Sequence, residues 1–215
     1  MSDYLKGLDY KYRDLIFEVT EKFNSIFLKK ELIYTYRDKS NSRKELIIAC
    51  KPSNLMHLCG IAGYCEPTSN FEKNAIGFFS DALDNKLNME NIWYKDELLI
   101  STKLHALTAM EELLKKGVSV CGAGKFDLLT FDNAIRTGKT ILAITYIVGT
   151  DSDKVPNSAI DLRTNKSDAK VFESSCRVSS ITTRNTDTNE ISIIEFNHIT
   201  KSKKNKKKKK KQKLL

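Results

Sequence analysis

No stretch of this 215-residue sequence approaches the ~20 consecutive apolar residues that a helix needs to cross a bilayer, so no membrane span is expected. The start, Met1-Ser2-Asp3-Tyr4, has neither a charged n-region nor an apolar h-region, and no export signal is expected. There is no C-x-x-C pair. The five cysteines, Cys50, Cys59, Cys65, Cys121 and Cys176, are an odd number, and the grouping of His57 with Cys59 and Cys65 matches no standard zinc spacing. Without an export signal they read as reduced thiols in a cytosol, structural and buried. No constellation of carboxylates or His/Cys ligands suited to a catalytic metal occurs, so neither a metal nor another cofactor is expected. Internal repeats and long linkers are also missing. The length suits one good core and is short for two, which predicts a single domain.

Acidic residues are absent from one place in particular. Ten lysines and no acid lie in residues 201–215, although the whole chain has a formal charge of +9. Setting those ten aside leaves 26 basic residues against 27 acidic ones in residues 1–200. The basic character belongs to the C-terminal run, so charge does not by itself argue that the domain binds nucleic acid. Residues 1–200 are expected to form the domain. Residues 201–215 have no apolar side chain before Leu214 and are expected to be a disordered tail. Such a tail either is merely solvated or attracts RNA, DNA or anionic lipid without sequence preference.

Apolar residues at Leu5, Leu8, Tyr12, Leu15, Ile16, Val19, Phe23, Ile26 and Phe27 predict an amphipathic helix over residues 3–28. Leu32–Arg37 and Glu45–Cys50 flank the polar cluster Asp38–Ser42 and predict a β-hairpin, with Pro52 stopping its second strand. Ser69-Asn70-Phe71-Glu72 reads as a capping box for a helix carrying Phe71, Ala75, Phe78, Phe79, Ala82 and Leu83. Another helix is expected from Ser101, with Leu104, Leu107, Met110, Leu113 and Leu114 on one side and Gly117 just past its end. Beyond it, Val118–Cys121, Leu128–Phe131, Ile141–Val148, Val171–Val178 and Ile191–Phe196 are strand candidates, with a turn at Thr186–Asn189. Helices first and strands later predict an α+β fold on a mostly antiparallel, twisted sheet.

Asn133–Thr140 nearly spells a phosphate loop, but Asn133 stands where glycine is needed and a strand follows, so Gly138-Lys139 reads as a hairpin turn. Three segments carry chemistry. In Asn54-Leu55-Met56-His57-Leu58-Cys59-Gly60-Ile61, an imidazole sits among apolar residues, with Gly60 and Gly63 allowing a tight turn. His57 is either a core histidine bonded to a carbonyl or a general acid or base near neutrality. Lys154-Val155-Pro156-Asn157-Ser158-Ala159-Ile160-Asp161-Leu162-Arg163 is expected to be a loop after the longest strand. There Asn157 and Ser158 offer hydrogen bonds and Arg163 a phosphate-holding fork, unless the segment is a plain surface turn. Lys103 borders the apolar face of its helix, as a snorkelling side chain or a fixed cation. His105 is expected to face solvent, and His198 lies at the edge of the tail.

In this order the segments resemble the fourth group of phage-encoded nucleases with the barnase–EndoU–colicin–RelE-like (BECR) fold. The resemblance rests on a helix and hairpin running into Met56-His57-Leu58-Cys59-Gly60, on Lys103-Leu104 opening the next helical motif, on a long strand and then Lys154-Val155-Pro156-Asn157-Ser158, and on Asp161-Leu162-Arg163. It covers residues 10–196. Cys59 and Ser158 stand where the family has threonine, and the aromatic expected before Val155 is absent.

The resemblance implies a BECR-type fold and metal-independent RNA cleavage, in which the ribose 2′-hydroxyl attacks the adjacent phosphate. His57, Lys103, Ser158 and Arg163 are then the expected catalytic residues, with Asn157 and Lys154 binding substrate. It implies a toxin-like enzyme of a phage or mobile element, in a bacterial or phage-infected cytoplasm, with an antitoxin or immunity protein as a possible partner. Two other classes remain open on the sequence. One is a non-catalytic RNA- or protein-binding module on the same fold, which the charge balance of residues 1–200 favours. The other is a structural phage protein tethered by its lysine tail.

Overall fold

The computed structural model describes residues 4–65, 72, 74–149, 154–164, 171–172 and 175–196. The N-terminal segment departs from the expected long helix. Leu5–Lys6 forms a short strand, β1, and Gly7 turns the chain at φ +77°. Asp9 then caps a 3-10 turn, Tyr10–Tyr12, by accepting from the Lys11 amide at 2.9 Å. The α-helix proper, α1, is Arg13–Phe27, and its buried stripe is Ile16, Val19, Phe23, Ile26 and Phe27. The periodicity marked that stripe correctly; Gly7 and the Asp9 cap moved the start.

The expected hairpin is present as β2, Lys30–Arg37, and β3, Arg43–Ala49. Asp38 closes its turn by accepting from the amides of Ser40 and Ser42, each at 2.9 Å. In β3, buried Leu46 and Ile48 alternate with exposed Glu45, Ile47 and Ala49, as a strand with one covered face requires. After it come a five-residue helix, α2, Asn54–Leu58, and a short strand, β4, Gly63–Tyr64. Helix α3 is Ala75–Leu83, capped by Asn74 through the Gly77 amide at 2.9 Å. Ser69 of the expected capping box lies outside the described residues. Strand β5, Ile92–Tyr94, pairs with β1 and β4 in a small separate sheet.

Helix α4, Glu97–Leu107, begins four residues before the expected Ser101. Asp96 explains this: its carboxylate accepts from the amides of Leu98 and Leu99, two of the donors a helix start leaves open. A 3-10 turn, Met110–Leu114, continues it, and Gly117 takes φ +101°.

The remaining strands are β6, Ser119–Cys121; β7, Gly124–Phe126; β8, Leu129–Phe131; β9, Asn133–Arg136; β10, Leu142–Val148; β11, Lys154–Asp161; β12, Ser175–Asn185; and β13, Ile191–Glu195. The main sheet runs β11-β10-β9-β6-β12-β2-β3, with β13 also on β12, and its pairings are antiparallel. Strands β7 and β8 form a hairpin of their own. Three expectations change. Asn133–Arg136 is a strand whose hairpin with β10 turns through Gly138-Lys139. The strand expected at Val171–Val178 begins at Ser175 and runs to Asn185, bulging where the Ser179 hydroxyl bonds the Thr35 carbonyl. The segment expected to be a loop, Lys154–Asp161, is the terminal strand of the sheet.

Helices α1 and α4 share one core with the inward residues Tyr34, Ile48, Ile144, Val178 and Ile181. The neighbouring residues Ala134, Ala143 and Ile160 point to the other face and pack with Phe131 and Phe172, whose rings stack at 5.5 Å. Strand β11 therefore ends a sheet covered by α4 on one face and by the β7–β8 hairpin on the other. This is the expected α+β fold on an antiparallel sheet. Among the described residues, no helix is long and apolar enough to cross a membrane.

Candidate active site

The site forms where β11 ends the sheet and the two covering layers part. Pro156 is tolerated there because, among the described strands, β11 pairs only with β10. The pairing slips at that point: Thr145 faces Ser158 and Tyr146 faces Pro156, so Asn157 is the extra residue of a β-bulge. The bulge turns the Asn157 carbonyl out of the ladder and toward α2. His57 Nε2 lies 2.6 Å from that oxygen. A carbonyl only accepts, so Nε2 carries the proton, and in the neutral ring the basic lone pair is on Nδ1. The Asn157 side chain is held as well, donating from Nδ2 to the Thr130 carbonyl at 3.1 Å.

His57 is exposed, which removes the reading of a core histidine. Its helix is stopped by a full Schellman pair: the Gly60 amide donates to the His57 carbonyl and the Ile61 amide to the Met56 carbonyl. Gly60 sits at φ +81°, and a Cβ there would lie 3.1 Å from Lys103 Cδ. The glycine therefore serves two needs, a left-handed cap and room for the lysine stem to pass over it. Gly63 is not left-handed and lies in β4.

Lys103 projects from α4 and is 9% exposed. Burial pushes its ammonium below the usual lysine range, and Cys59 alongside opposes that shift. The Cys59 thiol is itself pushed up to about 12 by burial, which keeps it neutral. Lys103 lines two depressions. One, with Met56, His57, Gly60 and Ala62, opens beside α2. The other, about 520 Å³, lies between α4 and the β7–β8 hairpin and is lined by Leu99, Phe126, Leu128, Leu129, Ser158 and Asp161 among others.

Ser158 is 8% exposed, and its hydroxyl donates to the Ala159 carbonyl at 3.4 Å. Arg163 is placed differently. Its fork closes on Asp161, with Nη2–Oδ2 at 2.6 Å and Nε–Oδ1 at 2.9 Å, while Nη2 also reaches the His105 carbonyl at 3.4 Å. Burial works to raise the Asp161 carboxyl, but the hydrogen bonds from Arg163 outweigh it and hold that group below its usual range. Arg163 thus ties the end of β11 to α4, and neither it nor Lys154, which opens β11 opposite Val148, lines the two depressions. His105 is exposed and donates from Nδ1 to the Ser101 carbonyl at 2.7 Å.

The structure brings His57, Asn157, Lys103 and Ser158 together and leaves Arg163 and Lys154 at the margin. Sequence reasoning missed the apolar wall made by Leu99, Phe126 and Leu128. Its one signal was a leucine, Leu128, directly after the turn residue Asp127, which stands at φ +52°. His198 and residues 201–215 lie outside the described residues. Among the described residues, no three His, Cys, Asp or Glu side chains cluster so as to hold a metal ion.

A family model described as phage-Barnase-EndoU-ColicinE5/D-RelE like nuclease 4 matches residues 15–215 of the chain. No curated protein and no solved structure matches it.

Proposed function

The chain belongs to this family of phage barnase–EndoU–colicin E5/D–RelE-like nucleases, and on that premise we propose that it is an endoribonuclease cleaving RNA without a metal, by attack of the ribose 2′-hydroxyl on the adjacent phosphorus. The observation that carries this reading is the pairing of two groups across one site. An imidazole is fixed in one tautomer by the Asn157 carbonyl at 2.6 Å, and a largely buried ammonium, Lys103, lines the same depression.

His57 takes the 2′-hydroxyl proton as the new O–P bond forms and the bond from phosphorus to the 5′-oxygen breaks, the departing oxygen taking a proton from solvent. Lys103 faces the phosphoryl oxygens as negative charge develops. An ammonium held out of water by its own stem acts more strongly there than a solvated one. The products are a 2′,3′-cyclic phosphate and a free 5′-hydroxyl. Ser158 and Asn157 shape the substrate path, Arg163 braces Asp161 against α4, and Lys154 meets the RNA beyond the cut. The ten lysines in residues 201–215 add an attraction for phosphate that is independent of sequence. The enzyme is toxin-like, of a phage or mobile element, and works in the cytoplasm of a bacterial cell opposite an antitoxin or immunity protein.

The test is single-turnover cleavage of single-stranded RNA in excess EDTA. Wild type yields the cyclic phosphate and spares DNA. His57→Ala, whose side chain is exposed and whose loss spares the fold, slows the reaction by about 10²–10⁴, while His105→Ala cuts at the wild-type rate. Equal rates for wild type and folded His57→Ala would sink the mechanism.

One observation favours a second reading, an RNA- or protein-binding module on the same fold: the 26 basic and 27 acidic residues of positions 1–200 give that region no net attraction for a polyanion. Absence of cleavage under every condition, from a protein that needs no inhibitor for its expression, would decide for it.

A further inference from the structure

We propose that the depression between α4 and the β7–β8 hairpin is a base seat, taking an amino-bearing purine of single-stranded RNA whose phosphate lies at Lys103. This rests on the ribonuclease reading above and names the substrate it selects.

The walls of the depression are Leu99, Phe126, Leu128, Leu129 and Ile160, and its volume of about 520 Å³ leaves room for a purine and part of its ribose. Leu128 stands at the hairpin tip and is 87% exposed, an apolar side chain offered to solvent directly over the opening. Lys103 lines this depression as well as the one holding His57, so a phosphate at the ammonium has the proton-transfer group on one side and the apolar seat on the other.

The rim carries the specificity. The hydroxyls of Thr102, Ser158 and Thr164 donate to the carbonyls of Leu98, Ala159 and Asp161, at 2.8, 3.4 and 3.2 Å. Each hydroxyl hydrogen is committed to the main chain, which leaves the oxygens as acceptors. A seat with apolar faces and acceptors at its rim suits a flat base presenting amino hydrogens, as adenine and guanine do. Uracil would set its two carbonyl oxygens against those acceptors. A duplex keeps its bases stacked and paired, so the seat requires a single strand. The charge balance of residues 1–200 fits this assignment, because a site with little electrostatic attraction must draw on the base for its affinity.

The experiment measures binding of the full chain to short 2′-O-methyl oligouridylates, uncuttable, with one central position varied. That position carries adenine, unsubstituted purine, uracil or no base, and affinities are read by fluorescence anisotropy in elevated salt. All four probes carry the same phosphates, so the lysine run contributes equally to each. The adenine probe binds tighter than the abasic one by roughly 5–150-fold, the range of one stacked base. Unsubstituted purine falls between them, and uracil sits near the abasic probe. The double variant Leu99→Ser/Leu128→Ser, altering two exposed side chains, removes the preference. Leu98→Ser, exposed on the same helix but outside the depression, retains it. Equal affinity for adenine and abasic probes overturns the seat, and so does a preference that survives the double variant. Adenine binding no tighter than unsubstituted purine overturns the acceptor rim. None of these outcomes depends on whether wild type cuts RNA, so failure here is separable from failure of the ribonuclease reading.

Discussion

The two ends of the main sheet are built from similar strands and differ in how much irregularity they carry. At the β2–β3 end the register runs unbroken from Arg37 opposite Arg43 to Glu31 opposite Ala49, and the inner face lies under α1. Among the described residues, the Tyr34 hydroxyl there is buried with no hydrogen-bond partner. At the β11 end a strand contains proline, bulges at Asn157, and faces a left-handed glycine and a lysine deprived of water. Each of those features costs stability locally. They persist because the packed layers on either side over-determine them, which is the usual sign of a chemical site.

The comparison can be broken most forcefully at the regular end. Phe23→Ala in α1 removes a ring that is fully buried and packed against Phe27 and Phe79. The expected loss is about 3–5 kcal/mol of unfolding free energy, read by urea denaturation. The cleavage rate of the molecules that remain folded should stay at the wild-type value. A rate that fell with stability would mean the two ends are not separable.

Lys103→Met makes the opposite pattern. Cleavage should fall by roughly 10²–10³, the loss typical of one charge-stabilising donor, while stability rises. The sign follows from the direction of the shift. Burial lowers the folded-state pKa of Lys103 below its unfolded value, so protonation favours the unfolded chain. The penalty is full below the folded pKa and fades as pH climbs toward the ordinary lysine value. The stability advantage of Lys103→Met over wild type should therefore shrink steadily in alkaline buffer, and an advantage independent of pH would show that packing, not charge, is responsible.

Gly60→Ala sharpens the comparison at one backbone position. The new methyl meets Lys103 Cδ at 3.1 Å, on a residue held at φ +81°. A loss of about 1–2 kcal/mol is expected from the left-handed strain, with a fall in rate as the lysine is pushed aside. Gly122→Ala is the control, since nothing lies within 4 Å of its added Cβ. It should change stability by no more than about 0.5 kcal/mol. Equal effects at the two glycines, in parallel urea titrations, would refute the contact.

The smallest effect is expected from Tyr34→Phe. The hydroxyl it removes is buried and unbonded, and burial pushes that phenol far above its usual range. Deleting an unsatisfied polar atom should leave stability within about 1 kcal/mol, on the stabilising side. A clear destabilisation would reveal a hydrogen bond that the hydroxyl makes in solution.

Much of the fold was legible because it follows from local patterns. The apolar stripe of α1, the hairpin around Asp38–Ser42 and the glycine turn at Gly138-Lys139 each depend on residues close in sequence. The misreadings share a cause. Lys154–Asp161 read as a loop because it contains Pro156 and Asn157, and nothing nearby in sequence shows that it ends a sheet, where a proline and a bulge are tolerated. The polar stretch Ser179-Ser180 in β12 hid a strand for a similar reason. At the site, residue types were legible and relations were not. Histidine, lysine and serine could be named from the sequence but not their place in adjoining depressions, and the bonds of Arg163 to Asp161 and to the His105 carbonyl depend on α4 lying alongside.

By itself the sequence determined the α+β class, the helix and hairpin that build the regular core, the concentration of positive charge in residues 201–215, and the short motifs around His57 and Asn157. Tertiary structure alone decided how those motifs meet. His57 and Asn157 are 100 residues apart, and their bond exists only because a register slip between β10 and β11 turns one carbonyl toward α2. Lys103 loses its water only because α4 lies over β11 and Gly60 leaves space for its stem. Hydrophobic periodicity is written along a chain, whereas desolvation and hydrogen-bond partnership arise between segments that meet only after folding.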